Sequence, residues 1–314
     1  MRIISLFSGA GGLDLGLKRA GHAIVWANDH DRDCVETYKQ NVGRHIFLGD
    51  IDKVKLKDIP DGEVLVGGFP CQGFSCANLL RHAADERNAL YLQFLRILKG
   101  KKPPFFVAEN VRGLLSLDEG KIVKMIVNDF FASGYEVKYD TFNMADFGVP
   151  QNRFRVIILG MRKDLPSTCF PSFPSQTHAR KSSNGFRPWL SIGKALQGIP
   201  EPTGKHNLFN HICSKYKVTN RNFTGHRRTD PTKPSPTILA RGNGKGGVCA
   251  IQHPRNHRRL SVRESALIQT FPLEFKFSGT LNSMYRQVGN AVPPTFGELL
   301  GNELKKVERK LKGK

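Results

Sequence analysis

Over its first 160 residues the chain repeats one pattern: a short, nearly unbroken apolar run followed by a stretch whose apolar residues recur at helical spacing. The apolar runs fall at residues 3–7, 23–27, 63–66, 105–108 and 156–160; the helical stretches fall at 13–20, 31–41, 89–98 and 121–132, with an aspartate placed to cap the second. A strand that is apolar throughout is one buried on both faces, as in parallel sheets. Strand and helix units of this length join parallel strands through right-handed crossovers. The pattern therefore predicts an α/β fold, a doubly wound and mostly parallel sheet with helices on both faces. Such sheets bind ligands in the crevice at the carboxyl ends of their strands.

The character of the chain changes near residue 166. From there to about residue 258 it is rich in Pro, Gly, Ser, Thr, Asn and His, with basic side chains and little sustained periodicity. Phe186, Trp189, Phe209, Tyr216 and Phe223 supply enough apolar surface to argue for a folded, loop-rich module over a disordered one. Helical spacing returns at residues 261–269, where Ser261 and Glu264 make a capping box. A Gly-Asn-Ala-Val-Pro-Pro turn at 289–294 precedes a last helix from about Thr295. The expected division is a larger domain of residues 1–180 completed by 280–314, with 181–279 forming a smaller domain and hinge.

Charge separates the same two parts. The net charge is +21, yet residues 1–150 hold 19 Lys and Arg against 19 Asp and Glu, whereas residues 151–314 hold 29 against 8. Within residues 177–263 there are 17 basic side chains and two acidic ones, Glu201 and Asp230. A surface built for solubility mixes both signs, so this excess points to a polyanion. No apolar run approaches the roughly 20 residues that span a bilayer, and the opening MRIISLFSGAGG is unlike a signal peptide, which predicts a soluble, cytoplasmic protein. The six cysteines are scattered without a C-x-x-C pair, so they read as reduced thiols, and no metal is expected.

Several loops carry groups fit for chemistry. The segment FSGAGGLDLG, from Phe7, links the first strand to the first helix, where glycines allow a ligand to approach the backbone and the free N–H groups of the helix start. It departs from the strict G-x-G-x-x-G dinucleotide fingerprint. Asp29 ends the second strand, where an acidic side chain can take ribose hydroxyls, and Asp50 follows the third, where it can accept from an adenine amino group. An isolated aspartate at a strand end is more often a helix cap; placement at successive strand ends makes a shared adenosyl ligand the better account. In GGFPCQGFS, Cys71 follows Pro70 at the end of the fourth strand and is a candidate nucleophile on a rigid turn. Cys76 reads as an incidental thiol of the next loop. Glu109, in Glu-Asn-Val, brings a carboxyl group to the same edge. Arg153 and Arg155, two apart at a strand start, are expected to share one face and hold an anion or a carbonyl oxygen.

The series FSGAGG, GGFPCQGFS, ENV, QNRFR, RRLSVRESALIQTFP and GNAVPP, in that order and spanning essentially the whole chain, resembles the DNA (cytosine-5) methyltransferase family in its compact prokaryotic form, often partnered with restriction endonucleases. The resemblance implies the S-adenosylmethionine-dependent methyltransferase fold with a smaller, loop-rich target-recognition domain. It implies transfer of a methyl group from S-adenosylmethionine to C5 of a cytosine flipped out of a short double-stranded DNA sequence, leaving S-adenosylhomocysteine. By the same resemblance Cys71 adds to C6, Glu109 hydrogen-bonds N3 and the exocyclic amine, Arg155 contacts O2, and Arg153 supports the catalytic loop or a flanking phosphate.

The cofactor set implied is Phe7, Gly9, Ala10 and Gly12 around the methionine moiety, Asp29 on the ribose, His30 and Ile51 flanking the adenine, Asp50 on its amino group, and Pro70, Leu90 and Asn290 completing the pocket. The family usually has glutamate, often followed by an aromatic residue, where this chain has Asp29-His30. The DNA contacts implied are Ser75 and Arg81 on a closing loop, Thr237 bracing the flipped nucleotide, and Arg241 or Lys245 meeting a guanine edge or a phosphate. The partners implied are double-stranded DNA and a separately acting cognate restriction endonuclease, with the enzyme itself a monomer. A tRNA cytosine methyltransferase shares the chemistry, and a silent nucleic-acid-binding homologue shares the fold; the basic segment favours duplex DNA, and the presence of Cys71, Glu109, Arg153 and Arg155 together favours an enzyme.

Overall fold

The computed structural model describes residues 1–69, 86–181, 185–213, 226–227, 229–240 and 250–313. Strand β1 (Arg2–Leu6) leads into helix α1 (Gly12–Arg19), then β2 (Ala23–Asp29), α2 (Arg32–Asn41), β3 (Ile46–Leu48) and β4 (Val64–Gly67). Helix α3 (Glu86–Lys101), β5 (Phe105–Val111), α4 (Lys121–Ala132), β6 (Tyr135–Asn143), the short β7 (Gln151–Asn152) and β8 (Phe154–Arg162) follow. Among the described residues seven strands form one sheet in the order β3-β2-β1-β4-β5-β8-β6. β8 alone among these runs antiparallel, pairing with β5 on one side and β6 on the other. The order reverses between β1 and β4, and their carboxyl ends open the crevice that such a reversal creates.

Alternation within the strands sorts side chains to the two faces. Ile3, Val64, Val66, Phe105, Val107 and Ile157 pack with Leu17, Val35, Tyr38 and Phe296, whereas Ile4, Leu65, Phe106, Ala108 and Ile158 pack with Phe94, Ile126 and Phe130. Period-two alternation between two apolar layers is why these strands look continuously hydrophobic in sequence. β6 escaped the sequence reading because it is an edge strand whose outward residues Glu136, Lys138, Tyr139 and Asp140 break the apolar run.

The C-terminal part returns to the first strand. After α5 (Ile192–Ala195) come α6 (Val262–Ile268), with the capping box of Ser261 and Glu264 formed, α7 (Leu281–Asn290), and α8 (Pro294–Leu311), which lies along α1. The two helices approach through glycines. A Cβ on Gly16 would stand 2.3 Å from the Pro294 carbonyl oxygen, and one on Gly297 would stand 2.8 Å from that of Leu13. Residues from 192 to 291, including Ile192, Ile238, Val262, Phe271, Tyr285 and Val288, gather in a further apolar cluster to which the N-terminal part contributes Ala10.

Candidate active site and cofactor pocket

A cavity of about 370 Å³ lies at the carboxyl ends of β1, β2, β4 and β5. Its floor is the turn after β1. Phe7 has φ +54°, a left-handed conformation uncommon for a side-chain-bearing residue. Gly11, at φ +84°, precedes α1, and a Cβ on Gly12 would meet the Val292 carbonyl oxygen at 2.3 Å. The backbone here is thus folded directly under the segment that links α7 to α8. Phe7, Gly9, Ala10, Gly12, Asp29, His30, Leu90 and Asn290 all line this one cavity.

The Asp29 carboxylate is fixed from two sides. Its Oδ2 accepts the Gly9 N–H at 2.8 Å and its Oδ1 the Asp31 N–H at 2.9 Å. Burial pushes the carboxyl above its ordinary range, against the pull of those two donors. His30 sits at the rim, with 70% of its side chain exposed. Asp50 and Ile51 stand outside the cavity lining: Asp50 is exposed and pairs with Lys53 at 3.0 Å, and Ile51 is buried in the core beneath α3. Sequence reading set Ile51 beside the adenine and Asp50 on its amino group; neither belongs to the lining of this cavity. Pro70, Cys71, Ser75, Arg81, Arg241 and Lys245 lie outside the described residues.

Deeper in the floor is Asp14, fully buried. It accepts from the Ser5 hydroxyl at 2.8 Å and the Tyr38 hydroxyl at 2.7 Å, and burial pushes its pKa up to about 6 despite both donors.

At the other end of the cavity Glu109 faces Arg155. The carboxylate comes from β5 and the guanidinium from β8, in register because Val111 pairs with Arg155 and Glu109 with Ile157. Arg155 Nε lies 2.7 Å from Glu109 Oε1, and the two side chains are 11% and 12% exposed. The N–H is not aimed squarely at the oxygen, so the contact is a charge pair with hydrogen-bonding capacity to spare. Gly68 closes the other side: a Cβ there would stand 3.0 Å from Glu109 Oε2. Asn110, buried, donates from Nδ2 to the Phe69 carbonyl oxygen at 3.0 Å. Residue 69, the last described before Cys71, is thereby tied to the strand that carries Glu109.

Arg153 and Arg155 flank the outward-facing Phe154 but make different contacts. Arg153 is wholly buried, and its guanidinium donates to the carbonyl oxygens of Ile238 at 3.1 Å, Gly289 at 3.0 Å and Ala291 at 2.9 Å. Its Nε has no partner among the described residues, and burial, with the Arg155 charge adding to it, holds its pKa well below the ordinary value. Rather than a second fork for an anion, it is the knot between β8, the segment around residue 238 and the end of α7. Gln151 and Gln269 reinforce that knot: Gln151 accepts the Ile238 N–H and donates to Gln269, which donates to the carbonyls of Val288 and Ala291. Thr237 joins it too, its hydroxyl donating to the Asn152 carbonyl oxygen at 2.6 Å.

A floor of glycine turns, a buried strand-end carboxylate and a Glu–Arg pair at the far end make a pocket for a nucleoside-like ligand beside a polar reaction centre. The model of the C-5 cytosine-specific DNA methylase family matches residues 1–306. The chain belongs to that family. It is 39% identical over 317 residues to the Type II methyltransferase M.NgoFVII of Neisseria gonorrhoeae, covering 93% of this chain and 83% of that one. It is 36% identical over 332 residues to M.MthTI of Methanothermobacter thermautotrophicus, covering 98% and 97%. The fold is also that of the Dnmt2 methyltransferase of S. pombe, with a TM-score of 0.69 at 20% identity over 98% of each chain. The chain is thus a DNA cytosine-5 methyltransferase on the α/β methyltransferase fold, with a mostly parallel sheet.

Sequence reading missed Asn110, Arg286, Gln151 and Gln269. The polar pair Arg286-Gln287, separated from Gly289-Asn290 by Val288, and Asn directly after Glu109 were the available signals.

Proposed function

We propose that this enzyme methylates C5 of a cytosine flipped out of a specific short sequence in double-stranded DNA, through a covalent adduct between Cys71 and C6. The observation that carries the reading is the Glu109–Arg155 pair at the end of the cavity, next to the Asn110 anchor of residue 69. A base inside a duplex cannot reach a pocket at a sheet edge, so it must leave the stack. Cys71, two residues beyond the anchored carbonyl, adds as thiolate to C6 of the extruded base. Glu109 hydrogen-bonds N3 and the exocyclic amine, stabilising the charge that this addition drives into the ring. Arg155, held at Glu109 by charge, reaches O2 from the same side. C5 thereby becomes nucleophilic; loss of its proton and expulsion of the thiolate restore the ring after methylation. S-adenosylmethionine supplies the methyl group.

The residues of the cavity fit that cofactor. Its volume is in the range of nucleotide-sized sites. Asp29 offers a desolvated carboxylate to ribose hydroxyls, the glycine turn and α1 N-terminus accommodate the methionine end, and Leu90 and Asn290 complete the walls.

Residues 181–279, with their basic excess, act as the target-recognition domain and hinge, and residues 1–180 with 280–314 as the catalytic domain. The apolar cluster that gathers residues 192–277 supports a folded module, packed on Ala10 and on Met284, Tyr285 and Val288 of the catalytic part. Among the described residues no helix is long and apolar enough to cross a membrane. We place the enzyme in the cytoplasm, acting as a monomer and protecting host DNA from a cognate restriction endonuclease.

The test is transfer of a radiolabelled methyl group to unmethylated DNA, with Cys71→Ser beside the wild type. Label on C5 of cytosine that vanishes in the variant supports the reading, and sequencing the product gives the target. Label confined to tRNA in a competition would move the substrate to RNA; label on neither would leave a nucleic-acid-binding protein.

A further inference from the structure

The cavity is closed on one side by an ion pair that neither the reaction nor the cofactor set uses. Arg286, on α7, donates from Nη2 to Asp31 Oδ2 at 2.7 Å, joining residues 255 positions apart, and both side chains line the cavity. Asp31 divides its functions cleanly. Oδ1 caps α2 by accepting the Asp33 and Cys34 N–H groups, while Oδ2 takes Arg286. Its backbone N–H is one of the two donors that fix Asp29, the other being Gly9. A continuous line therefore runs from α7 to the ribose-site carboxylate: Arg286 to Asp31, Asp31 to Asp29, Asp29 to Gly9.

α7 is held to the same wall at a second point. Gln287 accepts the Thr37 hydroxyl at 2.6 Å, and Thr37 and Asn41 of α2 bind the 276–278 backbone that leads into α7. Arg286 is the charged member of this junction and the one nearest the cavity mouth, with 47% of its side chain exposed. A half-exposed pair adds little to global stability, typically about 0–1 kcal/mol. Its geometry instead restricts where the Asp29–Asp31 turn can sit.

We propose that Arg286 is a positioning residue for cofactor binding, acting through Asp31 as a clasp that holds the Asp29 carboxylate and couples docking of α7 to occupancy of the pocket. The inference rests on the reading of this cavity as the S-adenosylmethionine site. Although burial alone would raise the Asp31 carboxyl, hydrogen bonds from Arg286 and the α2 N–H groups hold it below the usual range, so the clasp stays charged throughout the neutral region.

The experiment is calorimetric binding of S-adenosylhomocysteine to wild type, Arg286→Met, Arg286→Lys, Asp31→Asn and the Arg286→Met/Asp31→Asn double variant. Urea unfolding is run on each. Asparagine keeps the cap of α2 while removing the ion pair, so Asp31→Asn separates the two functions of that side chain. The expected result is an affinity loss of about fivefold or more in both Arg286→Met and Asp31→Asn, no further loss in the double variant, and partial recovery in Arg286→Lys, with unfolding midpoints near wild type. Wild-type binding with unchanged affinity in the single variants overturns the clasp. Loss in Arg286→Met with Asp31→Asn silent also overturns it, since Arg286 would then touch the ligand directly. Failure of the wild type to bind overturns the reading of the cavity, and the clasp with it.

Discussion

Glu109 and Arg155 meet across neighbouring antiparallel strands, Nε to Oε1 at 2.7 Å, with nearly nine-tenths of each side chain out of solvent. Each is the other's charge partner before any base arrives, so removing either changes two things at once. Glu109→Gln is expected to lower single-turnover methyl transfer by about 10²–10⁴-fold while leaving S-adenosylhomocysteine affinity near wild type. Arg155→Met leaves a desolvated carboxylate without its cation and is expected to cost both activity and about 1–3 kcal/mol of stability. Rapid-quench kinetics beside urea unfolding separates the two effects.

A side chain at Gly68 would crowd the reaction centre, since a Cβ would approach Glu109 Oε2 to 3.0 Å. Gly68→Ala is expected to push the carboxylate off its position, lowering turnover by about tenfold or more with a small change in melting temperature. Unchanged turnover would show that Glu109 is free to move.

Arg153 offers a contrast within the same motif. Its three bonds to the carbonyls of Ile238, Gly289 and Ala291 are all buried. Arg153→Met should destabilise the protein by about 3–5 kcal/mol by stranding those acceptors, a larger stability effect than any change at Arg155. Hydrogen exchange should report the loss around residues 238 and 289–291 before it spreads to the sheet.

Asp14 gives stability a pH dependence of defined sign. Its pKa in the fold is about 6 against 3.8 for the free side chain, because burial opposes its charge. Between these values the folded chain holds more protons than the unfolded one, so this group's contribution falls as pH rises from about 4 through about 6 and is level above that, a total of about 3 kcal/mol at most. Asp14→Asn should flatten that part of the urea-unfolding profile. An identical slope in the variant would assign it to other groups.

How much of this was legible in the sequence depends on how far each partner lies along the chain. The strands that build the crevice, the helix over 121–132 and the Ser261–Glu264 cap were readable because local periodicity and spacing set them. Glu109 and Arg155 were readable as candidates from their motifs, but their pairing needs the antiparallel register of β5 and β8. The three bonds of Arg153 were not legible because its acceptors come from residues 85 to 138 positions away, and backbone carbonyls carry no sequence signal. α7 was missed although Leu281, Met284, Tyr285 and Val288 recur at helical spacing, because the element is short and polar residues such as Ser283 and Gln287 share its buried face.

The glycine contact between α1 and α8 bears on how the enzyme is made. With Gly16 against Pro294 and Gly297 against Leu13, the first helix completes its packing only when a helix nearly 300 residues later arrives. A chain emerging from the ribosome therefore carries an uncovered glycine face on α1, and a cavity floor lacking the Val292 backbone above Gly12, until residues 292–297 have been made. Loop closure over such a separation is slow relative to local folding. Assembly of the cofactor pocket then waits on α8, and truncation within that helix would disable the N-terminal site without removing any residue that lines it.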